Sequence, residues 1–207
     1  MSIVLKISCT LLLMTILQVK NCSTGEKQLL DAAQYIAWVE NPDNGLFVTK
    51  QMNDIVYSLQ YKPHQYEAML QEKRPMSDAE MKSEVDSLSD MQYYTFRIGT
   101  LTGADVQRYN LADDNEYYAR LEYFALQMEK DIQLIDGQDT LPCLLFHFER
   151  TYGIDPRATF VLAFDAKKKS SGNKTLMYTD RAFGSGPVLL TINASDLAEI
   201  PELYLSE

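Results

Sequence analysis

Histidine, cysteine and basic residues are the scarce components of this chain. Its 207 residues include two histidines, three cysteines, and 19 lysines and arginines against 29 acidic residues. Zinc sites in proteins normally show clustered histidine or cysteine ligands, so this composition disfavours a zinc centre. The formal charge of −10 opposes binding to nucleic acid and to anionic membrane surfaces, because both need clustered lysine and arginine. We therefore expect no nucleic-acid partner.

The chain also lacks an apolar run long enough to cross a bilayer, which takes about 20 residues. Near the N-terminus, Lys6 precedes a shorter apolar run from Ile7 to Leu17, and Cys22 follows after a polar stretch. A basic residue, a short apolar segment and a processing site in this order are typical of a secretory signal peptide. Residues 1–21 are therefore predicted to be a signal peptide.

The end of this segment resembles the lipobox of bacterial lipoproteins. In a lipobox an apolar residue stands three positions before a cysteine, as Val19 does here, and small residues fill the gap. The two residues between Val19 and Cys22 are not small, but the looser lipoboxes of Bacteroidota lipoproteins tolerate such residues. The resemblance implies that Cys22 is acylated and that residues 22–28 form the lipidated N-terminus and a short tether. The alternative is ordinary cleavage after Gly25, which would release a soluble exported protein.

Motifs along most of the predicted mature chain resemble a group of Bacteroidota lipoproteins to which no chemistry is assigned. Beyond Cys22 and the helix after it, they are Asn44-Gly45-Leu46, Tyr61-Lys62-Pro63, Asp139-Thr140-Leu141-Pro142-Cys143 and His147-Phe148-Glu149. The resemblance implies a protein of the bacterial outer membrane, attached through acyl chains on Cys22 and associated with an envelope protein complex. It implies no activity and no cofactor.

Hydrophobic periodicity predicts an α+β fold made mainly of antiparallel sheet, with three to four packed helices. Helical spacing and cap residues predict helices at 26–40, 63–72, 77–91 and 114–128. Alternation of apolar and polar residues predicts strands at 46–50, 55–61, 94–98, 132–136, 144–148, 160–164, 176–178 and 188–192. The strands of the C-terminal half are predicted to form an antiparallel β-meander, and residues 29–207 a single globular domain.

Cys143 is the cysteine left without a partner once Cys22 is acylated. Its position before an apolar strand indicates a buried, small hydrophobic residue rather than a reactive thiol. His147 lies four residues away on the same predicted strand, where the two side chains do not meet. The other histidine, His64, lies at a predicted helix start. These side chains therefore predict no catalytic residue.

The acidic residues around His147 are the remaining candidates for chemistry. His147 and Glu149 share one face of a predicted strand, and Asp139 or Asp165 is the candidate third ligand of a metal. Because histidine and cysteine do not cluster in the sequence, no metal site is predicted. Glu149 with Asp165 is the carboxylate pair of the alternative function, an exported hydrolase or carbohydrate-active protein.

The segment Gly184-Ser185-Gly186-Pro187 has the composition of a phosphate-binding loop. Such loops lead from a strand into a helix start, whereas Val188 begins a predicted strand, so a hairpin turn is predicted instead. No motif in the sequence is specific to a reaction. The sequence therefore favours a non-enzymatic binding or assembly module of the cell envelope, without a cofactor or metal.

Overall fold

The computed structural model of the chain describes residues 27–72, 74–151, 153–166 and 172–204. The predicted signal peptide and Cys22 lie outside these residues. The described residues form five α-helices: α1 Ala32–Glu40, α2 His64–Glu72, α3 Asp78–Leu88, α4 Asp114–Leu126 and α5 Ala194–Ala198. They also form eleven strands: β1 Leu29–Leu30, β2 Phe47–Met52, β3 Ile55–Lys62, β4 Met91–Thr100, β5 Ile132–Asp136, β6 Asp139–Pro142, β7 Leu145–Glu149, β8 Ala158–Asp165, β9 Lys174–Asp180, β10 Gly186–Ile192 and β11 Glu202–Leu203. None of the described helices has the length and apolarity that a membrane crossing requires.

Five strands form an antiparallel sheet in the order β2-β3-β4-β8-β7. Its register places a row of apolar residues across four neighbouring strands: Leu59, Phe96, Phe160 and Phe148. All four side chains are buried. Because successive residues of a strand point to opposite faces, this row defines the inner face of the sheet.

The opposite face of this sheet, which we call the outer face, carries polar residues. One row across the same four strands consists of Ser58, Arg97, Thr159 and Glu149. Helices α2 and α3 cover one end of the outer face, where they form a small apolar cluster against Tyr93. At that end the side-chain Nε2 of His64 lies 2.7 Å from the Met91 carbonyl oxygen and fixes the start of α2 to β4.

Four further strands form a second antiparallel sheet in the order β10-β9-β5-β6. Its inner face includes Tyr178 and Leu134, which are fully buried. The Tyr178 ring centroid lies 5.4 Å from that of Phe96 and 6.2 Å from that of Tyr57 in the first sheet. The two sheets therefore pack face to face, and their buried residues belong to one contiguous core.

The predicted α+β fold with mainly antiparallel sheet is confirmed. The six C-terminal strands β5 to β10 pair as three successive antiparallel hairpins. The first and third hairpins, β5–β6 and β9–β10, belong to the four-stranded sheet. The second hairpin, β7–β8, extends the five-stranded sheet. Apolar packing explains this division, because Phe148 stacks on Phe160 at 5.2 Å and both rings contact Phe124 of α4.

The first helix differs from the predicted range of 26–40. It begins at Ala32, because Asp31 caps it through a carboxylate that accepts the Gln34 amide at 2.9 Å. The Gln34 side chain in turn accepts the Asp31 amide at 3.3 Å, which completes a capping box. The two residues before the cap, Leu29–Leu30, instead form β1 and pair in parallel with Glu202–Leu203.

Candidate functional site

The structure does not bring the predicted carboxylate pair together. Glu149 lies opposite Thr159 of β8, whereas Asp165 lies six residues further along that strand, opposite Met91. At about 3.3 Å per residue, this separation along the strand is roughly 20 Å. Catalytic carboxylates of glycosidases lie about 5–10 Å apart. Glu149 and Asp165 therefore do not form such a pair.

The candidate metal ligands are also dispersed. His147 and Glu149 are exposed on the outer face, and Asp139 lies in the other sheet, opposite Asp136. Among the described residues there is no group of three histidine, cysteine or acidic side chains that could hold a metal ion. His64 contacts the Met91 backbone and the Tyr93 ring, so its role is to position α2.

Cys143 is buried and lies between the two sheets, just before β7. Its thiol donates a hydrogen bond to the Leu145 carbonyl at 3.0 Å. Burial and, to a smaller extent, the charge of Glu129 raise the pKa of the Cys143 thiol to about 12. Because the thiolate is the reactive form of cysteine, this position agrees with the predicted structural role.

Residues 181–185 form the turn between β9 and β10, which confirms the predicted hairpin. The backbone amides of this turn point inward to one buried carboxylate. Asp180 Oδ1 accepts from the amides of Ala182 and Phe183 at 3.0 and 3.1 Å, and Asp180 Oδ2 accepts from the Ser185 amide at 2.8 Å. These amides are not available to a phosphate, because the Asp180 carboxylate already takes the place of an anion.

Two tyrosine hydroxyls complete the surroundings of Asp180, which is only 4% exposed. Tyr57 donates to Oδ2 at 2.9 Å and Tyr178 donates to Oδ1 at 3.2 Å. Burial raises the pKa of both tyrosines, so they remain neutral donors. The Tyr57 hydroxyl also lies 2.9 Å from Ser185 Oγ. Asp180 therefore fixes the β9–β10 turn to strand β3.

A second buried carboxylate lies at the end of β5. Asp136 is 4% exposed, and its Oδ2 accepts from Lys174 Nζ at 2.8 Å and from Gln92 Nε2 at 2.9 Å. Tyr94 donates its hydroxyl to Gln92 Oε1 at 2.8 Å. These contacts join β5 and β9 of one sheet to β4 of the other. Asp136, like Asp180, is engaged in holding the two sheets together.

A cavity of about 290 Å³ opens on the outer face of the five-stranded sheet. We call it the Arg97 groove. Its lining includes the apolar Phe47, Val56, Leu101 and Pro156, the small Gly99 and Ala104, the hydroxyl residues Thr49, Ser58 and Thr100, and the cations Arg97 and Arg157. None of its lining residues comes from α2 or α3, which lie over the other end of the same face.

Arg97 is half-buried in this groove without a partner for its charge. Its guanidinium makes no hydrogen bond and no ion pair with any residue that the structure describes. Burial lowers the pKa of Arg97, and the nearby charge of Arg157 lowers it further, against the opposing effects of Glu149 and Asp155. By contrast, Arg157 binds Asp155 through two contacts of 3.0 and 2.9 Å. Arg97 is therefore the side chain of the groove that is open to a ligand.

A second cavity, of about 320 Å³, lies among the turns at one end of the two sheets. Its charged residues already have partners within the protein. Tyr109 donates its hydroxyl to Asp54 at 3.0 Å, and Arg120 Nη1 donates to the Tyr109 carbonyl at 2.7 Å. The Arg120 guanidinium also lies 4.7 Å from the centre of the Phe183 ring. This cavity therefore holds no unmatched charge that would select a ligand.

Sequence analysis did not single out Arg97. Alternation along β4 placed it on the polar face of a strand, as the structure also does. The groove around it depends on Leu101 and Pro156, which come from separate loops, and on Phe47 from β2. A half-buried guanidinium beside hydroxyl and apolar groups is suited to binding an anion, and it supplies no acid, base or nucleophile. No protein-family model matches the chain, and no curated protein or solved structure matches it.

Proposed function

We propose that this protein is an exported, lipid-anchored protein of the cell envelope and acts as a non-enzymatic binding module. The signal-like segment and Cys22 support the anchor, which we expect in the outer membrane. The observation that carries the binding function is the Arg97 groove. There, a cation is partly removed from water and has no acceptor among the described residues.

The state of Arg97 has an energetic cost that a ligand can offset. Removing part of a guanidinium from water is unfavourable unless its N–H groups find acceptors. A carboxylate or phosphate offers two oxygens that match the fork of arginine donors, which gives strong, directional hydrogen bonds. The chain as a whole is acidic, with a formal charge of −10, so anions are not attracted to its surface in general. Binding is therefore expected at this groove in particular.

The experiment that tests this function is a titration with acetate, monitored by NMR of arginine side chains. The chain carrying Cys22→Ser is used, so that acyl chains do not contribute to the signal. We expect a saturable shift of the Arg97 Nε–H resonance, and Arg97→Gln should weaken acetate binding about tenfold or more, since a charged hydrogen-bond pair contributes about 1.5–3 kcal/mol.

The matched control is Arg108→Gln, which removes the same charge from an exposed arginine outside the Arg97 groove. This variant should bind acetate as the parent chain does. Arg97→Lys retains the charge but loses the planar fork, so it should bind with intermediate affinity. If neither acetate nor a longer carboxylate bound the parent chain more tightly than Arg97→Gln, the proposed function would be contradicted.

A further inference from the structure

We infer that the ligand of the Arg97 groove is a small monocarboxylate with an apolar chain, such as a medium-chain fatty acid. This inference rests on the proposed function, because it names the ligand class of the same site. It depends on the walls of the groove, on the balance of charge around Arg97 and on the size of the cavity.

The walls of the Arg97 groove are mainly apolar. Phe47 and Val56 come from β2 and β3, whereas Leu101 and Pro156 come from loops at the ends of β4 and β8. Leu101 is 57% exposed, so much of its apolar surface is accessible to a ligand. An apolar chain laid against these side chains would remove their surface from water, which favours binding in proportion to the buried area.

Gly99, on the floor of the groove, leaves room for the side chain of Arg157. Gly99 lies opposite Val56 in the sheet. A Cβ atom built at Gly99 would lie 3.1 Å from Cγ of Arg157, so a larger residue would push the Arg157 side chain out of its position. The side chain of Arg157 can therefore pass over Gly99 while its guanidinium pairs with Asp155.

The charge around Arg97 favours a ligand with a single negative charge. Asp155 is paired with Arg157, whereas Glu149 acts on Arg97 only at a distance and forms no ion pair with it. A monocarboxylate therefore matches the one guanidinium of the groove that has no ion pair with a described residue. A phosphate monoester adds about −1.5 to −2 at neutral pH and meets stronger repulsion from the two carboxylates.

Ser58 provides a second polar contact for the carboxylate. It lies directly opposite Arg97 in the β3–β4 register and lines the groove. Its hydroxyl has no hydrogen-bond partner among the described residues. One carboxylate can thus accept from the guanidinium of Arg97 and from the hydroxyl of Ser58, while its chain follows the apolar wall.

The size of the cavity limits the ligand to a small molecule. Its volume of about 290 Å³ lies near the lower end of the usual range for ligand pockets, roughly 300–1,000 Å³. A free amphiphile of about eight carbons suits such a site, whereas a folded partner would contact far more of the surface. We therefore assign a free carboxylate, and not the carboxylate of a protein chain, as the ligand.

Isothermal titration calorimetry with four matched probes tests this inference. Octanoate, acetate, octanol and octyl phosphate are titrated into the Cys22→Ser chain. Octanoate should bind at least tenfold more tightly than each of the other three probes, because it alone combines a single negative charge with an apolar chain. Arg97→Gln should weaken octanoate binding at least tenfold and leave octanol unchanged.

Variants of the wall separate the contribution of the apolar chain from that of the charge. Leu101→Ser alters an exposed side chain, so the fold should remain intact. This variant should weaken octanoate binding severalfold and leave acetate binding unchanged. If Arg97→Gln fails to fold, Arg97→Lys replaces it, and octanoate should again bind more weakly than to the parent chain.

The possible outcomes distinguish the inference from the proposed function. If octyl phosphate binds as tightly as octanoate, or if acetate does, the inference is overturned while anion binding stands. If Leu101→Ser leaves octanoate affinity unchanged, the assigned wall is wrong. If none of the three anions binds with dependence on Arg97, both the inference and the proposed function fail. Binding of a peptide with a free apolar C-terminus more tightly than octanoate also overturns the inference.

Discussion

Asp180 shows how one buried carboxylate can organise a turn. It accepts hydrogen bonds from three backbone amides of residues 182–185 and from the hydroxyls of Tyr57 and Tyr178. A buried carboxylate is costly to desolvate, and five donors around it offset that cost. The residue thus serves the stability of the fold and leaves its oxygens without capacity for chemistry.

Asp180→Asn should destabilise the protein by about 2–4 kcal/mol, since its amide NH₂ group would face N–H and O–H donors that need acceptors. Urea unfolding followed by circular dichroism measures the change. Asp90→Asn is the control, because Asp90 is exposed and its side chain makes no hydrogen bond or ion pair with a residue that the structure describes. A loss of stability below about 0.5 kcal/mol for Asp180→Asn, equal to that of an ordinary surface change, would contradict this role.

At the residue scale, sequence patterns predicted local conformation better than they predicted which charged side chains are buried. The hairpin turn predicted at 184–187, which the structure places at 181–185, and the structural role of Cys143 both followed from local composition. The burial of Asp180 and the groove around Arg97 depend on contacts between distant strands. Tyr57 and Asp180, for example, are 123 residues apart in the chain. No local pattern predicts such a contact, because charged residues at strand ends are usually solvated.

Helix α3 shows an element whose start is set by its own sequence. Ser77 Oγ accepts the Glu80 amide at 3.4 Å, and Glu80 Oε2 accepts the Ser77 amide at 2.9 Å, which confirms the predicted capping box. Arg74 adds an ion pair to Glu80 at 3.0 Å. The hydrogen bond from Arg74, followed by those from Ser77, lowers the pKa of Glu80 from 4.5 to about 2.

The lowered pKa predicts how α3 responds to acid. A carboxyl group whose pKa falls on folding stabilises the folded state above its unfolded pKa, and this contribution is lost as the pH falls through the folded pKa. Glu80→Gln should therefore reduce the free energy of unfolding at pH 6. The difference in this free energy between the variant and the wild type should shrink as the pH falls from 4.5 to about 2.

Chemical denaturation of both proteins at pH 6 and at pH 2.5 measures this difference. Glu199→Gln is the control, because it makes the same chemical change at an exposed residue whose side chain has no hydrogen bond or ion pair within the described part of the chain. A difference between wild type and Glu80→Gln that stays constant over this pH range would show that the charge of Glu80 does not stabilise the cap.

At the element scale, the predictions failed where a partner is distant in sequence. The hairpin β2–β3 and the helix after Asp113 were predictable, because turn and cap residues lie within each element. The start of α1 was not predictable in the same way. Leu29 and Leu30 fit a helical pattern, but they pair with Glu202 and Leu203 near the other end of the chain. A pairing between such distant segments is decided by the tertiary fold.

At the scale of the whole molecule, charge bears on how the protein is held at a membrane. Residues 1–21 contain two lysines and no acidic residue, so their predicted removal would change the formal charge from −10 to −12. An acidic domain is repelled by anionic lipid surfaces, and this repulsion is screened by salt. Electrostatic attraction would therefore not hold the chain at an anionic membrane if residues 1–21 were removed as predicted. Under the proposed function, attachment depends on the acyl chains of Cys22 alone.

Metabolic labelling with an alkynyl fatty acid tests this dependence. The wild-type chain should incorporate the label and remain in the membrane fraction after a wash with 1 M salt, because apolar insertion of acyl chains does not weaken with ionic strength. Cys22→Ala should lose the label completely. Cys9→Ala is the matched control, since it removes a cysteine from within the predicted signal peptide and should leave labelling unchanged. Incorporation of the label into Cys22→Ala, or release of the wild-type protein by salt, would rule out the proposed anchor and favour cleavage after Gly25.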